Sequence, residues 1–386
     1  MPYHFSVNLS LYIHIPFCVR KCLYCDFASS ELPGVTHEEY VAAVVREMES
    51  RAKDLPEPAK TETMYIGGGT PSLLAPQLVE QLISAAQNHY HLAADAEITL
   101  EANPGTVTAE SLAGYRSAGV NRLSIGVQSM DDAMLAILGR IHTAQQAREA
   151  VAIARQAGFD NIGIDLIHSL PGQTLDHWEQ TLHDALALAP EHISVYGLTI
   201  EDGTPFAAMA ESGEIALPAG DDSATMFEMA IALLPASSYE HYEIANFARP
   251  GRRSRHNQVY WRRGNYLGFG ASAHSFLRAP GFGKRWSNTP DIGEFCRAGS
   301  SPHTGEDVEH LTKQDAMGES LFLGLRMLEG IDPEDFRNEY GESIDEAFPG
   351  VLDRHTGNGL LHKIGPRIAL TGRGILLANL VFADFA

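Results

Sequence analysis

The chain has 386 residues, 44% of them hydrophobic and 20% charged, the balance of a globular protein long enough for one large domain and a smaller one. Acidic residues outnumber basic ones 49 to 28, and the formal net charge of −21 argues against nucleic acid as a partner. No apolar run could cross a bilayer, and residues 1–10 lack the basic stretch and apolar core of a signal peptide, so the expected location is cytoplasmic.

The first predicted strand, at 11–14, leads into Cys18-Val-Arg-Lys-Cys22-Leu-Tyr-Cys25. A CxxxCxxC run offers three thiolates from one loop, enough for three irons of a [4Fe–4S] cluster, with the fourth iron left open to an exogenous ligand. A disulfide pair is disfavoured in a cytoplasmic chain with four cysteines, and zinc would want a fourth Cys or His at matching spacing. Cys296, far along the chain, reads as a structural or idle thiol.

Further strands are predicted at 63–66, 97–100, 122–125, 161–165 and 192–196, separated by helical patterns at 37–53, 76–90, 108–118, 143–157 and 176–189. Strand–helix alternation of this kind implies right-handed crossovers and a parallel sheet, here an α/β fold of the partial (β/α)6 barrel type rather than the usual eight units. Polar and glycine residues cluster after the strands: Gly67, Gly68 and Gly69, then Glu101, Gln128, Asp165, Thr199 and Glu201. Residues at strand C-termini face the site in such sheets, whereas any one of them alone would read as a cap or turn.

Beyond the barrel, 239–246 reads as a strand and 266–275 as a glycine-rich turn. Between them Arg249, Arg252, Arg253, Arg255, Arg262 and Arg263 occupy a stretch without Asp or Glu, by default a solvated loop. An apolar helical stripe at 319–326, a helix opened by Asp332-Pro333 and a short hairpin near 359–374 suggest a small winged-helix-like domain, too acidic for DNA. The expected organisation is a barrel at 1–235, a connecting region at 236–305 and the C-terminal domain at 306–386.

Several motifs together carry a resemblance: Tyr12-Ile-His14-Ile-Pro-Phe-Cys18 with the cysteine loop, Gly67-Gly68-Gly69-Thr70-Pro71, Glu101-Ala-Asn-Pro104, Ser124-Ile-Gly126-Val-Gln128-Ser129, Leu138-Gly-Arg140, Asp165-Leu-Ile and Leu170-Pro-Gly172. The chain resembles the radical S-adenosylmethionine superfamily, and within it the coproporphyrinogen-dehydrogenase branch, almost end to end. The resemblance implies that the methionine part of S-adenosylmethionine chelates the open iron. It also implies that Gly68, Gly69, Thr70 and Glu101 hold the methionine end or ribose. Tyr12, Tyr24, Gln128, Arg140 and Asp165 match further nucleoside-binding positions, some of which serve a second S-adenosylmethionine in the dehydrogenase. Cleavage to a 5′-deoxyadenosyl radical would call for a low-potential electron donor as a partner.

Two departures separate the chain from the dehydrogenase. Asp26-Phe27 follows Cys25 where the dehydrogenase has a further cysteine, and the chain begins shortly before Tyr12, where the dehydrogenase carries an N-terminal arm. Both departures, with His256-Asn-Gln-Val-Tyr-Trp261 fitting an HNxxYW signature, are similar to the haem-chaperone group of this branch. That resemblance implies haem as cargo, recipient haemoproteins as partners, and membrane association through partners only. His256, Asn257, Tyr260 and Trp261 are then the candidate haem contacts, with the neighbouring arginines on the propionates; alternatively the hexapeptide orders a loop and packs a domain seam. The competing reading is an active oxygen-independent coproporphyrinogen III dehydrogenase that decarboxylates two propionates to give protoporphyrinogen IX. RNA modification is disfavoured by the net charge. No residue is assigned a catalytic role.

Overall fold

A computed structural model of the chain describes residues 7–31, 34–54, 59–297 and 308–386. Its first half is built from β1 (Val7–Ile15), β2 (Ala59–Gly68), β3 (Leu92–Ala102), β4 (Arg122–Gln128), β5 (Ile162–His168) and β6 (His192–Gly197). Each strand pairs in parallel with the next, which gives the expected partial barrel. Between them run α1 (His37–Arg51), α2 (Pro76–Tyr90), α3 (Ala109–Ala118), α4 (Asp132–Ile137), α5 (Ala144–Gln156) and α6 (Leu175–Ala187). Thr36, Thr108 and Thr143 each close a capping box, which satisfies backbone N–H groups that would otherwise lack partners and fixes where these helices begin.

Alternation along the strands divides their faces. Met64, Ile66, Ile98, Leu100, Leu123, Ile125, Ile162, Ile164, Ile193 and Val195 are buried and form the apolar core. The intervening positions are polar: Tyr65 donates to Glu101, Ser124 to Asp165 and Arg122 to Thr99.

After β6 come α7 (Pro205–Glu211) and α8 (Gly220–Ala236), and then the sheet grows at both edges. The segment expected as one strand at 239–246 is instead a hairpin, β7 (Glu240–Glu243) and β8 (Asn246–Ala248), with β8 antiparallel to β6. The Glu243 carboxylate turns the chain by accepting from the Ala245 N–H and the Asn246 amide. The arginine-rich run is not a solvated loop: residues Arg255–Trp261 form α9, whose first N–H groups, those of Arg255 and His256, donate to the buried Glu97 of β3. The expected glycine-rich turn at 266–275 is two strands, β9 (Tyr266–Phe269), parallel to β1, and β10 (His274–Leu277), around a tight turn. Gly268 is required inside β9, because a Cβ there would stand 2.1 Å from the His274 carbonyl oxygen. Next come β11 (Lys284–Ser287), α10 (Ile292–Arg297) and β12 (Glu309–His310). The segment at 236–297 thus shares the barrel's sheet and core, so the expected break at 235 does not divide two bodies. The expected boundary at 305 lies outside the described residues.

The C-terminal region has its own core, including Met317, Leu321, Phe336, Phe348, Ile368 and Phe385. It is made from α11 (Lys313–Gly324), α12 (Pro333–Tyr340), α13 (Ile344–Ala347), α14 (Val351–Gly357), the antiparallel pair β13 (Leu361–Ile364) and β14 (Arg367–Leu370), α15 (Gly372–Leu376) and α16 (Ala378–Phe382). Helices followed by a hairpin match the expected winged-helix-like plan. Backbone bonds from Ile244 N to Arg326 O and from Leu328 N to Tyr242 O join this region to the β7–β8 hairpin.

Two helical glycines give opposite expectations for one substitution. A Cβ on Gly318, in α11, would lie 2.1 Å from the Phe385 carbonyl oxygen, whereas Gly357, at the end of α14, has open space. Gly357→Ala should stabilise by about 0.5–1 kcal/mol through the unfolded chain, and Gly318→Ala should destabilise by about 1–3 kcal/mol despite better helix propensity. Chemical denaturation of both variants checks the pair.

Candidate functional site

The loop from 16 to 31 carries the three cysteines and has little regular structure of its own, so it is held by bonds to the frame. Cys18 N donates to Ser30 O and Ser30 N to Pro16 O, which closes the base of the loop. His14, buried at the end of β1, bonds the Ala28 carbonyl through Nε2 at 2.7 Å, while its Nδ1 meets the Tyr12 hydroxyl at 3.0 Å. On the far side Leu23 N donates to Leu138 O and accepts, through its carbonyl, from Phe206 N. Arg20 reaches the Gly139 carbonyl at 2.8 Å. Cys18, Cys22 and Cys25 are all half-buried free thiols, and burial pushes the Cys25 thiol up.

These cysteines line one cavity of about 150 Å³ together with Tyr24, Gly68, Gly69, Thr70, Glu101, Gln128, Arg140 and Asp165. Eleven of the sequence-predicted residues therefore converge on one space. Tyr12 does not line it; its ring lies against Tyr65, 6.2 Å between centroids. Gly69 is needed for close approach: a Cβ would stand 2.6 Å from Phe17 O and 3.0 Å from Cys18 Sγ. Gly68 has φ +114°, and a Cβ there would meet the His14 ring at 2.6 Å, so the crowding at this glycine comes from β1. Thr70 Oγ1 is 3.6 Å from Cys18 Sγ, and Arg140 spans Cys22 Sγ at 3.4 Å and Gly126 O at 2.6 Å. Gln128 sits in the left-handed region at φ 66°, a conformation rare for a side chain of this kind and found where the surroundings enforce it.

Glu101 accepts from the Tyr65 hydroxyl at 2.7 Å and from Gly68 N at 2.9 Å. Burial drives its carboxyl up to about 7, with the Tyr65 and Gly68 donors opposing and the charge of Asp165 adding to the rise. Burial also raises Asp165, against bonds from Ser194 and Ser124. Sequence reasoning missed Tyr65 and quoted Ser124 only within a motif, without a role; the two-residue alternation along β2 and β4 was the signal that could have found them.

A larger cavity of about 490 Å³ adjoins the first and shares Tyr24, Cys25, Phe27, Glu101 and Gln128 with it. Phe27 is 65% exposed, and Thr199, Glu201 and Asn257 also line this space. The rest of the hexapeptide lies elsewhere. His256 is buried, with Nδ1 2.7 Å from the Thr63 hydroxyl, Nε2 2.8 Å from the Tyr260 hydroxyl, and its ring stacked on Tyr65. Burial pulls it down to about 3, so it is neutral and both ring nitrogens are engaged. Trp261 packs near Tyr242, Ala248 and Met327 at the seam with the C-terminal region. The nearby arginines have partners too: Arg252 pairs with Asp160, Arg253 with Glu240 and Arg263 with Glu319, and Arg262 pairs with Glu329. Arg255 donates to Asp95 O and Arg249 to Ser237 O. Four of the six arginines expected to face propionates are thus in ion pairs, and two bond backbone carbonyls.

Among the described residues no three His, Cys, Asp or Glu side chains converge tightly enough for a single metal ion. A [4Fe–4S] cluster makes no such demand, since each thiolate takes a different iron, and three free cysteines on the rim of one cavity fit it.

His14→Leu should remove the Ala28 tether while keeping the pocket filled. Loss of one buried hydrogen bond, about 1 kcal/mol, should raise proteolytic cleavage within residues 18–31 about fivefold with unchanged far-UV circular dichroism. Wild-type protection would mean that the other tethers suffice.

Residues 12–185 match the Radical SAM superfamily and residues 311–377 the HemN C-terminal domain. A protein described as heme chaperone HemW from Bacillus subtilis (strain 168) is 37% identical over 97% of this chain and 98% of its own. A second protein of that description, from Escherichia coli (strain K12), is 44% identical over 96% of each chain. Coproporphyrinogen III oxidase (HemN) from Escherichia coli has a similar fold, with a TM-score of 0.82 at 24% identity, over 98% of this chain and 90% of that one. With a superfamily match over residues 12–185 and relatives 37% and 44% identical over nearly the whole chain, the chain belongs to the HemW family of the radical S-adenosylmethionine superfamily.

Proposed function

We propose that this protein binds haem as cargo and passes it to recipient haemoproteins, in the cytoplasm, while carrying a [4Fe–4S] cluster and S-adenosylmethionine in its barrel. The observation that carries this reading is the identity of 37% and 44% to proteins described as heme chaperones, across nearly the whole chain. The exposed Phe27 after Cys25 supports it, because the dehydrogenase has a further cysteine there.

Cys18, Cys22 and Cys25 would hold the cluster. When bound and reduced, the cluster supplies the electron that cleaves the sulfonium of S-adenosylmethionine, and a low-potential donor would deliver it. The chain's own residues would shape the setting. The turn at Gly68, Gly69 and Thr70 brings backbone close to the cysteine loop, and Arg140 holds the Cys22 sulfur against the β4 end. Tyr24, Gln128 and Asp165 would bound the nucleoside, with Tyr12 supporting them from behind Tyr65. Glu101 would face the ligand's positive charge.

Cys22→Ala should lose the bound cluster and Cys296→Ala should keep its iron; full iron in Cys22→Ala would refute the ligand set. Cluster-reconstituted protein given coproporphyrinogen, S-adenosylmethionine and reductant should accumulate no protoporphyrinogen, whereas the dehydrogenase reading requires it.

The charge on Glu101 yields a further test. Its carboxyl, raised to about 7, is partly protonated at neutral pH, and a sulfonium or ammonium beside it favours the ionised form. Binding S-adenosylmethionine at pH 7 should therefore release a fraction of a proton, read by calorimetry as an enthalpy that varies with the buffer's ionisation enthalpy. Glu101→Gln should abolish that variation. No release by the wild type would place the cation away from Glu101.

A further inference from the structure

A further cleft of about 450 Å³, which shares Tyr196 and Gly197 with the 490 Å³ cavity, lies between the C-terminal ends of β5 and β6 and the helices α15 and α16. His168 forms part of its wall, at the end of β5, and is only 6% exposed. We infer that this cleft is the seat of the haem and that His168 Nε2 is the axial ligand to its iron, an inference that rests on the chaperone reading.

The imidazole is set up for ligation. Its Nδ1 lies 2.8 Å from the Ser169 hydroxyl, which fixes the ring and, with Nδ1 as donor, leaves the lone pair on Nε2. Ser169 is itself held at φ 63°, a left-handed conformation uncommon outside glycine. Phe227 stacks on the imidazole at 5.6 Å and 8°, and Trp178 lies against it at 5.6 Å. Nε2 has no hydrogen-bond partner among the described residues. Burial holds the ring down to about 4, so it is unprotonated at neutral pH. Gly197 keeps the approach clear: a Cβ there would stand 3.4 Å from Nε2 and 3.3 Å from Cε1.

The rest of the cleft suits a flat, largely apolar dianion. Tyr196, 43% exposed, and Leu377 and Leu380, 37% and 59% exposed, offer broad apolar surface at its open side. Among the described residues no Asp or Glu lines the cleft, although the chain carries a net charge of −21, and the charged residue that does is Arg326. The guanidinium of Arg326 pairs with Glu243 through Nη2 and lies 4.3 Å from the Trp261 ring centroid, while its Nε is buried without a hydrogen-bond partner among the described residues. That orphaned donor can take a propionate oxygen. Trp261 then acts as a positioning residue for Arg326 rather than as a porphyrin contact.

The test is haem titration of the full-length, cluster-reconstituted protein, read from the Soret band. Wild type should give an imidazole-ligated spectrum. His168→Ala should lose it and weaken haem binding at least tenfold with iron–sulfur content unchanged, and added imidazole should restore the band. Gly197→Val, which keeps His168 but blocks its edge, should show the same loss. Wild-type affinity and spectrum in both variants would overturn the site and leave the chaperone reading standing. A loss in His168→Ala that imidazole does not restore would overturn ligation by this residue. A wild type that binds no haem would overturn both the site and the chaperone reading.

Discussion

The parallel run of β1 to β6 is the constraint on which every other feature depends. Parallel neighbours bring all six C-terminal ends to one rim, so loops far apart in sequence open onto one space. Register then decides which side chains meet there. Ile15 opposite Gly68 sets the cysteine loop beside the glycine turn, and Glu101 opposite Ser124 and Asp165 opposite Ser194 place carboxylates beside hydroxyl donors. A slip of one residue in β3 would send Glu101 into the apolar layer that packs the helices and Leu100 into the cavity.

The same alternation gives the barrel a polar lumen, and a polar lumen must be satisfied or filled. Helix α9 fills it. Glu97 binds the first N–H groups of the helix, Thr63 takes one nitrogen of His256, and Tyr65 stacks on the ring. Thr63, Glu97 and Tyr65 project from β2 and β3 toward the helix that carries HNxxYW. The hexapeptide therefore closes the barrel through His256 and reaches the C-terminal region through Trp261, while Asn257 faces the larger cavity.

Much of this was legible in the sequence. The six barrel strands lie where short apolar runs predict them, because each has apolar residues on its helix-facing side and a helix after it, side-chain capped in every case but α2. The convergence of Cys18, Gly68, Glu101, Gln128, Arg140 and Asp165 was readable because each closes or follows a strand, or belongs to a recognised motif, and the parallel topology does the gathering. The β7–β8 hairpin was not readable, since its turn is made by the Glu243 side chain rather than by glycine or proline. Nor was α9, because seven residues carry too little periodicity to signal a helix that Glu97, far away in sequence, caps. The site at His168 was equally hidden: one histidine at a strand end means nothing until Ser169, Gly197 and α16 are placed around it.

Charge shows the same limit most sharply. In the sequence, the run from Arg249 to Arg263 is the obvious place for an anionic ligand, because no acid interrupts it. In the fold each of its guanidinium groups has a partner, mostly carboxylates contributed from other elements, and a surplus of 49 acids over 28 bases makes such neutralisation the ordinary outcome. An anion offered to that run would have to displace existing pairs and would gain little for it. Arg326 stands alone in sequence, yet it lines a cleft with no acid among its described residues, and although its Nη2 pairs with Glu243, its buried Nε has no hydrogen-bond partner among them. Desolvation makes that one donor worth more to a carboxylate than several solvated and already paired ones. Where an acidic protein can hold a carboxylate is thus set by which cation keeps an unsatisfied donor beside apolar surface, and that depends on three-dimensional pairing that a count of arginines does not contain.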